Sequence, residues 1–236
     1  WKAKVWDFNS TKNDRILIEQ LYPGVQDFYD HFHSMLNAFK DVRYMRIDNR
    51  PIFVVYKPFL LPDPALFISV WNKLAVEEGL ADGFHFIGHA ERTIDVDRLL
   101  NIGFNAVNVV RNGEYANNPA LIKKILRPTI LYKIFKRPLV IEYSLIMKFF
   151  VQDKEKESKV YPSIIPNWDH TPRSGRKGSV FHNSTPELFA LHVKDVFENI
   201  AHKEPSNQIV FLKSWNEWGE GNYLEPDLKY GKQYIQ

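Results

Sequence analysis

Two spacings of apolar residues alternate along the chain. Short apolar runs, typical of strands buried on both faces, are separated by segments in which apolar residues recur every three or four positions, as on one face of a helix. The runs predict strands over Ile16–Ile18, Ile52–Tyr56, Phe84–Ile87, Ala106–Val110, Pro138–Tyr143, Val160–Ile165 and Gln208–Leu212. The periodic segments predict helices over Val25–Phe39, from Asp63-Pro64 to Gly79, and over Val96–Ile102, Leu145–Val151, Pro186–Ile200 and Tyr230–Gln236.

The alternation of strand and helix predicts an α/β protein with parallel strands. No tight hairpin signal is found, and Asn167–Ser184 is predicted to be a long polar loop. Two architectures fit this pattern, a doubly wound open sheet and a (β/α)8 TIM-type barrel. The chain has no Gly-x-Gly-x-x-Gly element and no Walker loop, which disfavours a nucleotide-binding open sheet. We expect residues 1–236 to form a single domain, a barrel that lacks its first two or three βα units.

The amino-acid composition excludes only a few classes of function. Of the 236 residues 44% are apolar and 25% are charged, as in an ordinary globular protein. The net charge of +3 is too small to predict nucleic-acid binding. The absence of cysteine excludes disulfides and thiolate metal sites, and no apolar run is long enough for a membrane span. The chain begins with Trp1 rather than Met, so we expect a fragment of a longer protein.

Two glutamates follow the last predicted strand. Glu217 and Glu220 lie three residues apart, beside Trp215 and Trp218, where barrel enzymes carry their reacting groups. Paired carboxylates suit glycosidic-bond chemistry, one as proton donor and the other as base or nucleophile. The tryptophans offer apolar faces to a sugar ring, and the neighbouring glycines let the backbone turn sharply. The alternative is that the glutamates are solvated and the tryptophans plug the barrel end, and these residues alone favour neither.

A longer motif surrounds the glutamates. Ser214–Asp227 reads Ser-Trp-Asn-Glu-Trp-Gly-Glu-Gly-Asn-Tyr-Leu-Glu-Pro-Asp. It resembles the signature of WbsX-type glycosyltransferases, which are relatives of glycoside hydrolase family 99, the endo-α-mannosidases. Three other segments match the same pattern in order, namely Arg50–Pro58, Pro166–Arg173 and Thr185–Phe189. The resemblance therefore extends from residue 50 to residue 227.

This resemblance implies a (β/α)8 barrel, of which the chain matches the C-terminal two-thirds. It also implies a reaction that retains configuration through a 1,2-anhydro-sugar. By position, Glu217 is the base acting on the 2-hydroxyl of the substrate, and Glu220 is the general acid and then the base at the glycosidic oxygen. The expected substrate-binding residues are Trp215, Asn216, Trp218, Tyr223, Trp168, Asp169 and Arg173. A salt-bridged loop that closes the barrel is an equal alternative for the segment from Trp168 to Arg173. No cofactor is expected.

The motif supports chemistry on glycosidic bonds more strongly than it supports either transfer or hydrolysis. The first hypothesis is a glycosyltransferase in bacterial surface-polysaccharide biosynthesis, the second is a retaining endo-acting glycoside hydrolase, and the third is a non-catalytic glycan-binding barrel or inactive fragment. The expected partner is an oligo- or polysaccharide, free or lipid-linked. We expect a cytoplasmic protein and leave secretion open. The basic stretch Lys123–Arg137 fits a solvated helix face better than a peripheral membrane contact.

Other candidate residues carry weaker signals. His85 and His89 are four residues apart on a predicted strand, where they would not converge on a metal, so no metal site is expected. Core packing is the favoured interpretation for Tyr56, and a surface position for Lys57. The helix that starts at Pro186 is capped either by Thr185 or by a capping box of Ser184 and Glu187.

Overall fold

A computed structural model describes residues 2–4, 16–80, 83–111, 113–114, 123, 126–135 and 137–236. The strands are β1 (Lys2–Lys4), β2 (Ile16–Glu19), β3 (Arg46–Ile47), β4 (Arg50–Val55), β5 (His85–Ala90), β6 (Ala106–Val109), β7 (Leu139–Glu142), β8 (Val160–Tyr161), β9 (Ser163–Ile164), β10 (Trp168–Asp169), β11 (Ser179–His182), β12 (Phe211–Leu212), β13 (Asn216–Glu217) and β14 (Asn222–Tyr223). The helices are α1 (Val25–Lys40), α2 (Pro64–Glu77), α3 (Val96–Ile102), α4 (Leu126–Phe135), α5 (Tyr143–Ile146), α6 (Thr171–Ser174) and α7 (Pro186–Ile200).

A curved sheet of parallel strands forms the centre of the fold. Strands β4, β5, β6 and β8 lie side by side in that order, and β12 pairs with β9, which follows β8 directly. The register places Phe53 opposite Phe86, and Val107 opposite Val160. The sequence prediction of an α/β fold with parallel strands is confirmed, and the sheet has the curvature of a partial barrel. Each parallel connection requires a crossover, which helices such as α2 and α3 supply.

The two faces of the sheet differ in what they bury. On the outer face, rings from β4 and β5 pack with α1 and α2 around Trp71, which is fully buried. The indole of Trp71 lies 4.5 Å from the ring of Phe53 between centroids, and its Nε1 donates to the carbonyl of Phe28 at 3.0 Å. A smaller cluster, with Ile87, Ala106 and partly buried Phe211, forms the inner face. This asymmetry follows from the alternation of side chains along each strand.

The region from residue 138 to residue 184 departs from the sequence prediction. The predicted strand over Pro138–Tyr143 exists as β7, but it pairs with β11 in a separate small sheet. The segment Asn167–Ser184, predicted to be a loop, contains β10, α6 and β11. Four residues of β11 flanked by glycine and polar residues are too few for a periodic signal, so only tertiary pairing reveals this strand.

Two tight hairpins form although no tight hairpin signal is found in the sequence. β3 and β4 pair antiparallel through a tight turn at Asp48 and Asn49, whose φ angles are 48° and 62°. Asp and Asn tolerate this left-handed conformation, and the Asp-Asn pair lacks the glycine that usually marks such a turn. The second hairpin joins β13 and β14 and carries Glu217.

Helix ends agree with the sequence in most places. The side chain of Asp63 caps α2 by accepting from the amide of Leu66 at 2.9 Å, as the Asp63-Pro64 start predicts. For α7, Thr185 is the cap, and its hydroxyl accepts from the amide of Leu188 at 3.3 Å.

The prediction of a helix over Tyr230–Gln236 is wrong, because that segment forms only a 3-10 turn. The helix predicted over Leu145–Val151 is α5, which continues as a 3-10 turn.

Candidate active site

The two glutamates lie on the β13–β14 hairpin and the turn within it. Asn222, fully buried, donates from its side-chain amide to the carbonyls of Asn167 at 2.7 Å and Lys213 at 3.0 Å. The side chain of Asn167 in turn bonds both backbone polar groups of Tyr223, at 2.8 and 3.0 Å. These paired amides fix the hairpin against the loop that follows β9, because the buried amide nitrogen of Asn222 finds both of its acceptors there. The same bonds bring Glu220 next to Arg173.

Gly221 allows the two loops to approach closely. Its φ of +50° lies in the left-handed region, and a Cβ placed there would lie 2.7 Å from the Cβ of Asp169. Any larger residue would push the hairpin away from the loop. The glycine therefore allows a close approach to Asp169, in addition to the sharp turn that the sequence predicted.

Arg173 bridges the two glutamates. Its Nη1 donates to Oε1 of Glu220, and its Nη2 donates to Oε1 of Glu217 at 3.1 Å. The positive guanidinium offsets the repulsion between two carboxylates that share it, and its planar fork fixes their separation. The Glu220 side chain is 14% exposed and that of Glu217 is 40% exposed. The pair is thus asymmetric, with one enclosed and one accessible carboxylate.

Two further side chains lie near Glu220. Lys213 Nζ and His170 Nε2 are each 3.9 Å from a carboxylate oxygen of Glu220. Trp168 organises both, since it stacks on the His170 ring at 5.6 Å between centroids and Lys213 Nζ lies 5.2 Å from its ring centre. The sequence predicted Trp168 as a substrate-binding residue but assigned no role to Lys213 or His170. Lys213 directly follows the last strand, which is the signal that could have identified it.

Trp218 and Tyr223 form a rigid aromatic pair. Their rings stack at 3.7 Å between centroids with an angle of 16°. Trp218 Nε1 donates to Glu225 at 2.7 Å, and the hydroxyl of Tyr223 donates to Asp227 at 3.1 Å. Partial burial, together with the hydrogen bond to Asp227, raises the pKa of Tyr223 to about 12. Trp218 remains 48% exposed, so it can still present a ring surface to a ligand.

The remaining predicted site residues are placed differently. Trp215 is 49% exposed and Asn216 is also exposed, so both point away from the buried contacts of the hairpin. Asp169 accepts from the amide and the hydroxyl of Thr171 at 2.8 and 2.5 Å, which shapes the loop before Arg173. Direct contact among the predicted residues is therefore found in two groups: Arg173 with Glu217 and Glu220, and Trp218 with Tyr223.

A second polar group lies at the ends of β4 and β5. His89 faces inward and bonds the side chain of Asn108 at 2.9 Å. Burial lowers the pKa of His89. His89 lies near the carboxyl end of β5, and Glu220 follows the carboxyl end of β12. Tyr56 is 62% exposed and its ring lies 5.2 Å from that of His89, so the prediction of core packing for Tyr56 is wrong. Lys57 Nζ donates to Glu91 at 2.5 Å.

His85 and His89 do not form a pair. His85 lies at the opposite end of β5, where its Nε2 is 3.1 Å from the hydroxyl of Tyr161. Within the described ranges, no group of three or more His, Cys, Asp or Glu side chains is arranged to hold a metal ion. None of the described helices combines the length and apolar character of a membrane span. Trp1, Trp6 and part of the basic stretch 123–137 lie outside the described residues.

The chain is similar to known proteins over almost its whole length. A family model described as Glycosyltransferase WbsX matches residues 1–236. The chain is 25% identical to protein WxcX in each of two strains of Xanthomonas campestris pv. campestris, over 99% of its own length and 32% of theirs. It thus spans about a third of the length of the curated relatives it matches.

Two solved structures share the fold. One is a glycoside hydrolase-like protein, 15% identical with a TM-score of 0.55, aligned over 89% of this chain and 58% of that one. The other is the GH99 endo-alpha-mannosidase from Bacteroides thetaiotaomicron, 15% identical with a TM-score of 0.54, aligned over 87% of this chain and 54% of that one. At this identity the likeness concerns the arrangement of the backbone.

Proposed function

Because the chain belongs to the WbsX glycosyltransferase family, we propose that it is a carbohydrate-active enzyme whose reacting groups are Glu217 and Glu220. The observation that carries this proposal is the Arg173 bridge, which holds two carboxylates together at the end of a barrel-like strand. Two glutamates that were merely solvated on a loop would not be expected to share one part-buried guanidinium. The bridge therefore favours an active site over a barrel plug.

The exposure of the two acids supports separate roles. Glu217, the accessible carboxylate, is the base that takes the proton of the substrate 2-hydroxyl as its oxygen attacks the anomeric carbon. Glu220, the enclosed carboxyl, gives a proton to the departing glycosidic oxygen, so the bond breaks and a 1,2-anhydro-sugar forms. An incoming hydroxyl then opens this ring, with Glu220 taking its proton and Glu217 returning one to the 2-oxygen.

The surrounding side chains supply binding surfaces. The stacked Trp218 and Tyr223, with Trp168 across the loop, offer ring surfaces to sugar units, and the exposed Trp215 and Asn216 extend this surface outward. The substrate is an oligo- or polysaccharide, free or lipid-linked, and a lipid-linked acceptor would bring the protein to a membrane surface.

We propose that the curved sheet is part of a (β/α)8 barrel of the family-99 type. The parallel strand order, the helices on the outer face and the glutamates at the carboxyl end of β12 support this architecture. The alignment with 58% and 54% of two glycoside hydrolase-like chains supports it as well.

Transfer and hydrolysis use the same two acids, and they differ in whether a sugar hydroxyl or water opens the intermediate. Family membership favours transfer in bacterial surface-polysaccharide biosynthesis. The likeness in fold to an endo-alpha-mannosidase is the observation that keeps an endo-acting hydrolase as the second candidate.

The test incubates the full-length protein with nucleotide sugars and a lipid-linked acceptor, and separately with α-mannoside oligosaccharides. Chain growth would identify a transferase, and released oligosaccharide a hydrolase. We expect Glu217→Gln and Glu220→Gln each to lower the rate about 100-fold or more. Glu198→Gln, an exposed glutamate on α7, is the matched control. Full activity in both active-site variants would refute the assignment.

An activated substrate separates the two roles. A glycosyl donor with a dinitrophenyl leaving group needs no proton donor for departure of that group. It should therefore restore the first step in Glu220→Gln and leave Glu217→Gln inactive. Equal rescue of both variants would contradict this division of roles between the two glutamates.

A further inference from the structure

A groove of about 910 Å³ lies beside the acid pair without being lined by either glutamate. It runs between the β10–β11 hairpin and the segment from Gly221 to Tyr234. The volume is within the range of sites that hold small ligands. Its lining includes aromatic side chains from both segments, among them Trp168, Trp218, Tyr223 and Tyr230.

The aromatic walls are fixed before any ligand arrives. The hydroxyl of Tyr234 is 2.9 Å from Oγ of Ser184, and the hydroxyl of Tyr230 donates to the carbonyl of Ser184 at 3.3 Å. The rings of Tyr230 and Tyr234 meet edge to face at 5.6 Å between centroids. Rings held in this way lose little conformational entropy on binding, which favours a ligand with flat, weakly polar faces.

The charged groups of the groove are already engaged with the protein. Asp227 Oδ1 accepts from the amides of Lys229 and Tyr230 at 2.9 and 2.5 Å, and its Oδ2 accepts from the hydroxyl of Tyr223. Lys229 Nζ lies 4.6 Å from the ring centre of Tyr230. A nucleotide or another polyanion is normally held by converging cations or amide groups. This lining instead suits an uncharged ligand.

The groove shares a wall with the acid pair. Trp218 and Gly221, which line the groove, flank Glu220 in the sequence, and Gly221 packs on Asp169 at the boundary between the two sites. We propose that the groove is a second carbohydrate site, which holds a neutral stretch of glycan chain next to, and separate from, the reacting bond. The ligand class rests on the proposed function, whereas the location of the site rests on the groove itself.

The experiment measures binding without turnover. Saturation-transfer NMR on the full-length Glu217→Gln/Glu220→Gln protein uses four neutral probes, namely α-mannotetraose, maltotetraose, cellotetraose and N-acetylated chitotetraose, and two anionic probes, GDP-mannose and tetragalacturonate. We expect transfer to at least one neutral probe. Val180→Trp, which fills the groove, should weaken that binding about tenfold or more. Val76→Trp, on the exposed face of α2, is the matched control and should bind like the parent.

A second variant tests the groove without a bulky substitution that could itself disturb folding. His182→Ala removes an exposed polar side chain of the groove without adding bulk, and it should also weaken binding while the thermal midpoint stays unchanged. Binding of no neutral probe, binding only of the anionic probes, or binding unaffected by Val180→Trp and His182→Ala would each overturn the proposal. If the parent binds no neutral probe while acid-dependent activity is intact, the groove proposal alone is refuted. Groove binding without acid-dependent activity would refute the catalytic assignment alone.

Discussion

Arg173 donates hydrogen bonds to both Glu217 and Glu220, so one guanidinium sets the spacing of two like charges. The sequence predicted Arg173 as a substrate-binding residue, whereas the carboxylates that it contacts are the protein's own. The two alternatives for its loop, a salt-bridged closure and a part of the site, are therefore compatible. The ion pairs themselves belong to the candidate active site.

We expect Arg173→Lys to lower kcat about tenfold or more with a smaller change in KM, because an ammonium group cannot hold both carboxylates in one plane. Initial rates in the assay that detects activity would measure this. Arg176→Lys, an exposed arginine three residues away, is the control and should behave like the parent. An Arg173→Lys protein with parental kcat would show that the bridge does not position the acids.

Gly221 is constrained twice, by its positive φ angle and by its close contact with Asp169. We expect Gly221→Ala to destabilise the protein by at least about 2 kcal/mol more than Gly231→Ala. Both glycines have positive φ, at +50° and +56°, but a Cβ at Gly231 meets no atom within 4 Å. The difference between the two variants in urea unfolding therefore isolates the clash with Asp169. Equal destabilisation would mean that the loops separate without cost.

At the scale of elements, local signals fixed the long helices and the parallel strands. α1, α2 and α7 agree with the predicted segments because each has an apolar stripe, and α2 and α7 also have a recognisable start. The short elements were predicted less well. β11 and the Asp48–Asn49 hairpin depend on a partner strand, which no local pattern identifies.

The cap of α2 provides a test at this scale. We expect Asp63→Ala to lower the free energy of unfolding by about 1 kcal/mol, because the amide of Leu66 loses its acceptor at the start of the helix. Asp63→Asn keeps a side-chain oxygen and should retain most of the stability. Denaturant unfolding of the three proteins would measure the effect. Equal losses in both variants would assign the effect to the charge of Asp63.

At the scale of the whole molecule, burial of histidine links stability to pH. His192 on α7 is almost fully buried, and its Nε2 accepts from the amide of Ile165 at 3.2 Å. Burial lowers its pKa to about 4 from an ordinary value of 6.5. Between these values the unfolded chain binds a proton that the folded protein does not, so unfolding becomes easier as the pH falls.

We expect the contribution of His192 to be fully present above about pH 6.5 and to fall by about 3 kcal/mol towards pH 4. His85, whose pKa burial also lowers to about 4, acts in the same direction. His192→Gln keeps an acceptor for Ile165 and should flatten the pH dependence of the free energy of unfolding. His33→Gln, at an exposed position on α1, should leave the profile unchanged. An unaltered profile in His192→Gln would contradict the assignment.

The sequence by itself determined the α/β class, the long elements and the position of the acid pair. These depend on local patterns: apolar periodicity, caps, and a motif contained within Ser214–Asp227. Only the tertiary structure decided that Arg173 binds both glutamates, that Tyr56 is exposed, that β7 leaves the central sheet, and that a groove adjoins the acids. Each of these depends on contacts between segments far apart in the chain, whose pairing is set by the packing of the whole sheet and leaves no signal in any one segment.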